Sequence, residues 1–389
     1  MKGLSSFASS LIAILVGLAA GFVILVISNP QNALAGLSII LSGGLQEGMK
    51  GLGRVLYFAT PIIVTGLSVG FAFKTGLFNI GATGQLMVGG FVAVVVGVAG
   101  DVFGPAQWLV ALIAGMLAGA VWGMIPGLFK ALLNVNEVIS SIMMNYIGMY
   151  GINYLIKNLA YIKDGRKVML VYNSMRAETH SVDAAAVIPS WGLDTVFYGD
   201  MGKGMAAYNV NGGIIIAIFL AIVIYLILNR TTFGYELKAC GYNRNASRYA
   251  GISEKRSIVS AMAIAGALAG IAGALMYLAP AEGLHIEVKE MLAAQGFTGI
   301  PVALLGLSNP IGIIFSGIFV AYITVGGSYL TTLKYMEEII SIIIGSIIYF
   351  SAFSLLVKQM FTRMAGWRKR RGEDNIPEEA KDSGKGAQP

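Results

Sequence analysis

Polar residues interrupt an apolar stretch close to residue 80, and they are the first candidates for contact with a solute. The segment Thr75–Gln85 contains three glycines together with Asn79, Thr83 and Gln85. Irregular backbone at membrane depth persists only where protein buries it or where a cavity gives it water. These residues therefore indicate a substrate path. The alternative role for Asn79 and Gln85 is a helix cap or an interhelical hydrogen bond.

Two further groups of residues extend this candidate path. The run Gly296-Phe297-Thr298-Gly299 resembles Gly81-Ala82-Thr83-Gly84, and paired interrupted segments in two halves of a transporter point to a central site. A match of four residues is short, so chance is a rival explanation. Asn145 lies in an uncharged stretch, where an amide needs water or a partner on another helix. We predict a substrate pathway lined by Asn79, Thr83, Gln85, Asn145, Phe297 and Thr298.

Other chemistries find no support in the residue types. The single cysteine, Cys240, excludes an internal disulfide framework. The two histidines, His180 and His285, lie far apart in sequence and form no HExxH-like ligand set, so we predict no metal site and no cofactor. The chain also lacks a GxxxxGK[ST] loop to hold nucleotide phosphates. It is therefore not expected to be an enzyme or to hydrolyse ATP itself.

The composition places these residues inside a membrane. Of 389 residues, 56% are hydrophobic and only 12% are charged, about half of the ~25% charged residues of a soluble domain. This excludes a disordered chain and a water-soluble protein of this size. The net charge of +7 is interpreted first as a topology signal, not as a nucleic-acid surface.

Charge-free gaps long enough to cross a bilayer define the expected elements. They predict an all-α polytopic membrane protein of about ten transmembrane helices, some short or broken, with a weak internal repeat. The predicted spans are residues 7–28, 55–73, 75–100, 102–129, 138–156, 204–229, 257–281, 291–307, 311–329 and 339–357. Residues 31–54 are expected to be a softer external segment. The first span is interpreted as uncleaved, not as a signal peptide.

Basic residues predict the orientation of these spans. Residues 230–256 contain six Lys and Arg, and the tail from Lys358 contains eight, so both are expected to be cytoplasmic. With ten spans the N-terminus is cytoplasmic as well. We thus predict a transmembrane domain over 1–357 with an external loop at 157–203, and a basic, then disordered, cytoplasmic tail over 358–389.

Glycines recur at every fourth position in one predicted span. These are Gly115, Gly119, Gly123 and Gly127, and the pair Gly266 and Gly270 repeats the spacing in another span. Small residues on one helix face allow two backbones to approach closely. Packing within the chain is favoured over a dimer seam.

A family resemblance rests on motifs in three regions. Asn79-Ile80-Gly81 with Gly84-Gln85 is followed by Glu137-Val138-Ile139-Ser140 and Asn145-Tyr146-Ile147, and then by the patterned loop Thr232–Ile252. Together they are similar to permease subunits of ABC importers of the branched-chain amino acid and ribose class, and within it to nucleoside permeases of the guanosine/uridine type. The resemblance covers roughly residues 50–355. One departure is Thr83, where members often carry an acidic residue.

The resemblance implies a ten-helix permease of the cell membrane that forms an ATP-driven translocation path for a neutral solute, with nucleosides as the expected substrate. The implied partners are an ABC ATPase subunit, a second permease (a sister chain or a second copy) and an extracytoplasmic substrate-binding lipoprotein, besides membrane lipids. The alternatives are a sugar or branched-chain amino acid permease. An ion-coupled secondary transporter is disfavoured, because the gaps leave no carboxylate at mid-membrane. A non-transporting scaffold would not need the patterned loop.

That loop is expected to dock the ATPase. Asn243–Tyr249 is predicted to form a short helix with Gly241 and Gly251 as breaks. The alternative is a plain solvated connector. The predicted coupling residues are Gly241, Asn243, Arg244, Arg248 and Gly251.

Overall fold

A computed structural model describes residues 2–45, 47–163, 166–173, 177–199, 210–280 and 284–352. These residues form a helical bundle, as the composition predicts. Its helices are α1 (Lys2–Ser28), α2 (Ala33–Ser42), α3 (Met49–Lys74), α4 (Ala82–Ala99), α5 (Gln107–Leu133), α6 (Glu137–Asn158), α7 (Leu193–Tyr198), α8 (Gly213–Arg230), α9 (Thr232–Tyr242), α10 (Arg244–Tyr249), α11 (Glu254–Tyr277), α12 (Ala294–Leu305), α13 (Pro310–Ser328) and α14 (Glu337–Ala352). Helix α14 covers the described part of the last predicted span, and the predicted tail lies outside the described residues.

Every predicted span coincides with a helix, although the lengths differ. Within the described ranges, six helices are long and apolar enough to cross a membrane, namely α3, α4, α5 with the turn before it, α8, α11 and α13 with the turn after it. Helix α12 has only 12 residues, which agrees with the expected short element. It ends at Leu305, and Asn309 then caps α13 by accepting a hydrogen bond from the Ile311 amide at 3.0 Å.

The expected soft segment at 31–54 is more structured than predicted. Residues Ala33–Ser42 form the apolar helix α2, and α3 begins at Met49, before the predicted position 55. Arg54 bounds the charge-free gap 55–73 in the sequence, but Arg54 and Lys50 both belong to the first turns of α3. A helix continues past such charges where their long side chains reach polar surroundings. Helices α1, α2, α13 and α14 share one apolar cluster built around Leu25, Ile40, Ile323 and Ile343.

The glycine pattern serves packing within the chain, as predicted. A methyl group added at Gly123 would lie 2.6 Å from the Met262 carbonyl oxygen of α11, and one added at Gly119 would meet Gly266. Helices α5 and α11 therefore touch backbone to backbone. Helix α4 joins this contact through Gly89, which faces Gly270. Helix α3 completes the core and is buried almost throughout Ala59–Ala72.

The predicted external loop carries the strands. Strand β1 (Ala160–Lys163) pairs antiparallel with β2 (Arg166–Met169). Strand β3 (Val171–Asn173) pairs antiparallel with β4 (Glu178–Thr179). The β4 strand also forms a bridge from Glu178 to Glu287, in the connector between α11 and α12.

Candidate functional site

The side chains of Asn79 and Gln85 bond to each other. Asn79 Nδ2 donates to Gln85 Oε1 at 2.8 Å, and Gln85 Nε2 donates to Asn79 Oδ1 at 3.0 Å. Asn79 Nδ2 also donates to Ser68 Oγ, whose hydroxyl donates to the Ala265 carbonyl at 2.6 Å. Both amides are at most 1% exposed. The network thus joins α3, α4 and α11, and this geometry favours the interhelical role that the sequence left open.

Asn145 connects α6 to the beginning of α4. Its Oδ1 accepts from the Gly84 amide at 2.9 Å, and its Nδ2 donates to the Ile80 carbonyl at 3.1 Å. The first amides of a helix have no partner within that helix, so the Asn145 side chain supplies one from a neighbouring helix. Gly84 is required here, because a methyl group would lie 2.7 Å from Asn145 Oδ1.

The two similar four-residue segments meet in the fold. A methyl group on Gly296 would lie 2.5 Å from Thr83 Oγ1, so the beginning of α12 lies directly on the beginning of α4. The Thr83 hydroxyl is buried and has no hydrogen-bond partner within the described chain. Gly296 is therefore required opposite Thr83, because any side chain at position 296 would overlap the threonine.

Helix α12 packs on both α3 and α4. Gly296 faces Thr83, and Gly299 faces Thr65 of α3, where a methyl group would lie 2.8 Å from the Thr65 carbonyl carbon. Phe297 is left 40% exposed. Thr298 lines a cavity instead.

This cavity has a volume of about 440 Å³, within the ~300–1,000 Å³ range of small-molecule sites. It lies between α3, the end of α11, α12, α13 and α14, and it also reaches Asn211, which precedes α8. None of the described residues that line it carries a charge. The lining combines six polar side chains with aromatic and aliphatic ones: Thr60, Asn211, Gln295, Thr298, Thr324 and Ser341, with Tyr57, Phe58, Pro61, Ile62, Leu275, Met276, Ala294, Ile344, Gly345 and Ile348.

Sequence reasoning identified only Thr298 among these lining residues. Tyr57 and Phe58 form an edge-to-face pair with centroids 5.3 Å apart, and Gln295 directly precedes the Gly296–Gly299 run. An amide beside a predicted helix break was the available signal for Gln295. No sequence signal identified the aromatic pair, since aromatic residues are common in apolar spans.

Polar groups surround the end of α3 that is nearest the cavity. Arg54 Nη1 donates to Tyr329 Oη at 3.2 Å, and Tyr329 Oη donates to Glu47 Oε1 at 3.1 Å. Tyr198 of α7 lies against Gly53, and burial raises the pKa of its phenol to about 12. The phenol therefore stays neutral at physiological pH.

The predicted coupling loop forms two consecutive helices. Thr231 Oγ1 accepts from the Gly234 amide at 3.0 Å and caps α9, while Asn243 Oδ1 accepts from the Ala246 amide at 3.0 Å and caps α10. Asn243 is thus the N-cap of the predicted short helix. Gly251 follows α10 with a φ of +80°, in agreement with its predicted role as a break.

Gly241 does not break the helix as expected, since it lies within the last turn of α9. It touches the turn after α3 instead. A methyl group on Gly241 would lie 2.6 Å from the Thr75 carbonyl carbon, and one on Gly76 would lie 2.5 Å from Gly241 Cα. The last residues of both helices are open to solvent: Tyr242 of α9 is 91% exposed and Tyr249 of α10 is 95% exposed. Asn245 and Arg248 line a shallow pocket beside Tyr249.

Comparisons with known proteins agree with one family. Residues 51–356 match the family described as the permease component of the branched-chain amino acid transport system. The guanosine ABC transporter permease protein NupP of Bacillus subtilis is 37% identical over 92% of this chain and 96% of NupP. The nucleoside ABC transporter permease protein NupB of Lactococcus lactis is 32% identical over 91% of this chain and 92% of NupB. The glucose ABC transporter permease protein TsgB13 of Haloferax volcanii is 32% identical over 72% of this chain and 69% of TsgB13. No solved structure matches significantly.

Proposed function

We propose that this chain, which belongs to the family of branched-chain amino acid transport system permease components, carries nucleosides across the membrane. It is the permease subunit of an ABC importer and a multi-pass membrane protein. ATP hydrolysis is assigned to a partner ATPase subunit, because the chain lacks a GxxxxGK[ST] loop. A second permease, either a sister chain or another copy, completes the path. A substrate-binding lipoprotein delivers the solute from outside.

The uncharged cavity beside Thr298 carries the assignment of a neutral solute. A nucleoside offers hydroxyls and base edges to amides such as Gln295 and Asn211, and a flat base to the aromatic pair Tyr57–Phe58. Stacking of a base on an aromatic side chain contributes about 1–3 kcal/mol. A few such contacts are enough for a path from which the solute must leave again. A fixed charge would impose a desolvation cost without a matching partner on the solute.

Removal of the Thr298 hydroxyl tests this role of the cavity. Thr298→Val keeps the shape of the side chain, and we expect the apparent KM for nucleoside uptake to rise about two- to tenfold, since one hydrogen bond contributes roughly 0.5–1.5 kcal/mol. Uptake is measured in proteoliposomes that contain the complete transporter and ATP. Gln295→Leu should shift the preference among nucleosides.

Thr332→Val is the matched control, because Thr332 is exposed and, like Thr298, bonds a carbonyl of its own turn. If both cavity variants keep the wild-type KM and the wild-type preference among nucleosides, the solute binds outside this cavity. Uptake of glucose in preference to nucleosides would favour the second candidate, a sugar permease. That candidate rests on the resemblance to the glucose permease and on the hydroxyl-rich lining of the same cavity.

The proposed location is the plasma membrane, with both termini in the cytoplasm. The support is the basic bias of residues 230–256 and of the tail, which lies outside the described residues. Arg368–Arg371 would then meet anionic lipid headgroups at about 1 kcal/mol per residue near the surface. We expect a reporter fused after Gly372 to behave as cytoplasmic. Activity of a reporter that works only outside the cytoplasm, at this junction, would contradict the ten-span topology.

The same proposal assigns ATPase docking to α9 and α10. Arg248, Asn245 and the two exposed tyrosines present an open surface at the end of this helical pair. Gly241 connects that surface to Thr75 and Gly76, and five residues separate Gly76 from Ala82, the first residue of α4. A push on α10 would therefore reach the Asn79–Gln85 network through backbone contacts.

A further inference from the structure

We infer that Glu178, His285 and Glu287 form a binding site for a divalent transition metal of the zinc class. The site lies where the predicted external loop crosses the connector between α11 and α12. His285 Nε2 lies 3.7 Å from Glu178 Oε2 and 4.0 Å from Glu287 Oε1. One ligand atom from each of the three residues lies within 4.8 Å of the others. This inference does not depend on the proposed substrate.

The backbone explains why these three side chains converge. Glu178 and Glu287 are partners in an antiparallel bridge, so their side chains project from the same face of the ladder. His285 lies two residues before Glu287, and alternate residues of an extended segment share a face. The single run His285-Ile286-Glu287 thus supplies two ligands, and the opposite strand supplies the third.

Hydrogen bonds on both sides hold the ladder in register. The Thr179 amide donates to the Ile286 carbonyl at 3.0 Å, and the Val288 amide donates to the Ala177 carbonyl at 2.9 Å. Ile286 N also donates to Thr179 Oγ1 at 3.0 Å. The carboxylates of Glu178 and Glu287 are therefore held near each other on a fixed frame, and a cation bound between them would reduce their mutual repulsion.

The ligand set and its dimensions suit zinc. Imidazole nitrogen and carboxylate oxygen bind zinc at about 2.0–2.2 Å, and a tetrahedral arrangement then separates ligand atoms by roughly 3.3–3.5 Å. The two distances from His285, 3.7 and 4.0 Å, exceed this by a few tenths of an ångström, and the three ligand atoms all lie within 4.8 Å of one another. Rotation of the side chains would bring the set to zinc-binding distances. Three protein ligands leave the fourth position to water. Lys289 pairs with Glu287 Oε2 and leaves Oε1 directed toward His285, so the lysine orients the ligand from behind.

A short connector links the site to the beginning of α12. Lys289, two residues after Glu287, is held by α6, because Asn153 Nδ2 donates to the Lys289 carbonyl at 2.9 Å. Ala294 and Gln295, which line the cavity, follow a few residues later in the sequence. Glu178 is the least exposed ligand, with its side chain at 15%. A metal ion here would tie the external loop to the segment that begins α12.

Calorimetric titration of the purified full chain with zinc chloride, after removal of metals by EDTA and dialysis, tests the site. We expect one zinc ion per chain and a rise in the thermal midpoint on zinc addition. His285→Ala and Glu178→Gln should each weaken zinc binding at least about tenfold and abolish the thermal shift. Their midpoints in EDTA should equal that of the wild type, which excludes misfolding as the cause.

Glu290→Gln and His180→Ala are the matched controls, since both lie close in sequence to the ligands but outside the cluster. Both should bind zinc like the wild type. The inference is overturned if the wild type takes up no stoichiometric zinc, or if zinc affinity survives in both His285→Ala and Glu178→Gln. Equal losses in the ligand variants and the controls would reveal nonspecific surface binding and overturn it as well.

Discussion

Replacement of Gly241 by valine is expected to lower ATP-driven uptake at least about tenfold while the partner ATPase continues to hydrolyse ATP. The physical reason is the contact between Gly241 and the peptide that joins Thr75 to Gly76, where a methyl group would lie 2.6–2.8 Å from backbone atoms. Backbone atoms cannot move aside like the end of a side chain. Overpacking of this kind destabilises the packed state by about 1–3 kcal/mol. The strain is located at the contact between α9 and the turn after α3.

The controls separate a broken joint from a misfolded chain. Ala250→Val enlarges an exposed residue of the same loop and should leave uptake and ATP hydrolysis at wild-type levels. Gly76→Ala strains the other side of the same contact, because Gly76 has a φ of +73°. The double variant Gly76→Ala/Gly241→Ala should lose less uptake activity than the sum of the losses in the two single variants. If Gly241→Val and Arg248→Ala complexes both assemble and transport normally, the loop is only a connector.

The fold was largely predictable because charge is so sparse in this sequence. A gap without charge that is long enough to cross a bilayer leaves the backbone few choices besides a helix. The errors occur where this rule does not apply. Helix α2 is apolar but has only 10 residues, too few to span, and α3 continues through Lys50 and Arg54, which the gap rule treats as ends.

The candidate site was less predictable, because it depends on which distant backbones touch. The pattern identified Asn79, Gln85 and Asn145 as residues in need of partners, and the fold supplies those partners within the chain. The cavity-lining residues Gln295 and Tyr57 do not differ in kind from packing residues of any apolar helix. The sequence His285-Ile286-Glu287 indicates a metal site only once the fold places Glu178 opposite it.

Substitution of either member of the Asn79–Gln85 pair is expected to destabilise the protein by about 1–3 kcal/mol, because the remaining amide stays buried without its partner. Gln85→Leu and Asn79→Leu are measured by thermal unfolding in detergent. The double variant should lose less stability than the sum of the losses in the two single variants, since the two amides are each other's hydrogen-bond partners. Asn158→Leu is the control, because that amide is exposed and donates to the Tyr154 carbonyl of its own helix.

Transport by Gln85→Leu and by a further variant, Asn145→Leu, decides between the two roles that the sequence left open. If the amides hold helices together, Gln85→Leu and Asn145→Leu lose uptake in proportion to stability and keep the wild-type preference among nucleosides. If they contact the solute, that preference changes at normal expression and normal thermal stability. We expect the first result, because both polar groups of the Asn145 side chain already bond within the chain. Its carbonyl oxygen accepts from the Gly84 amide, and its amide group donates to the Ile80 carbonyl. The preference should follow Thr298 and Gln295 instead, whose side chains face the cavity.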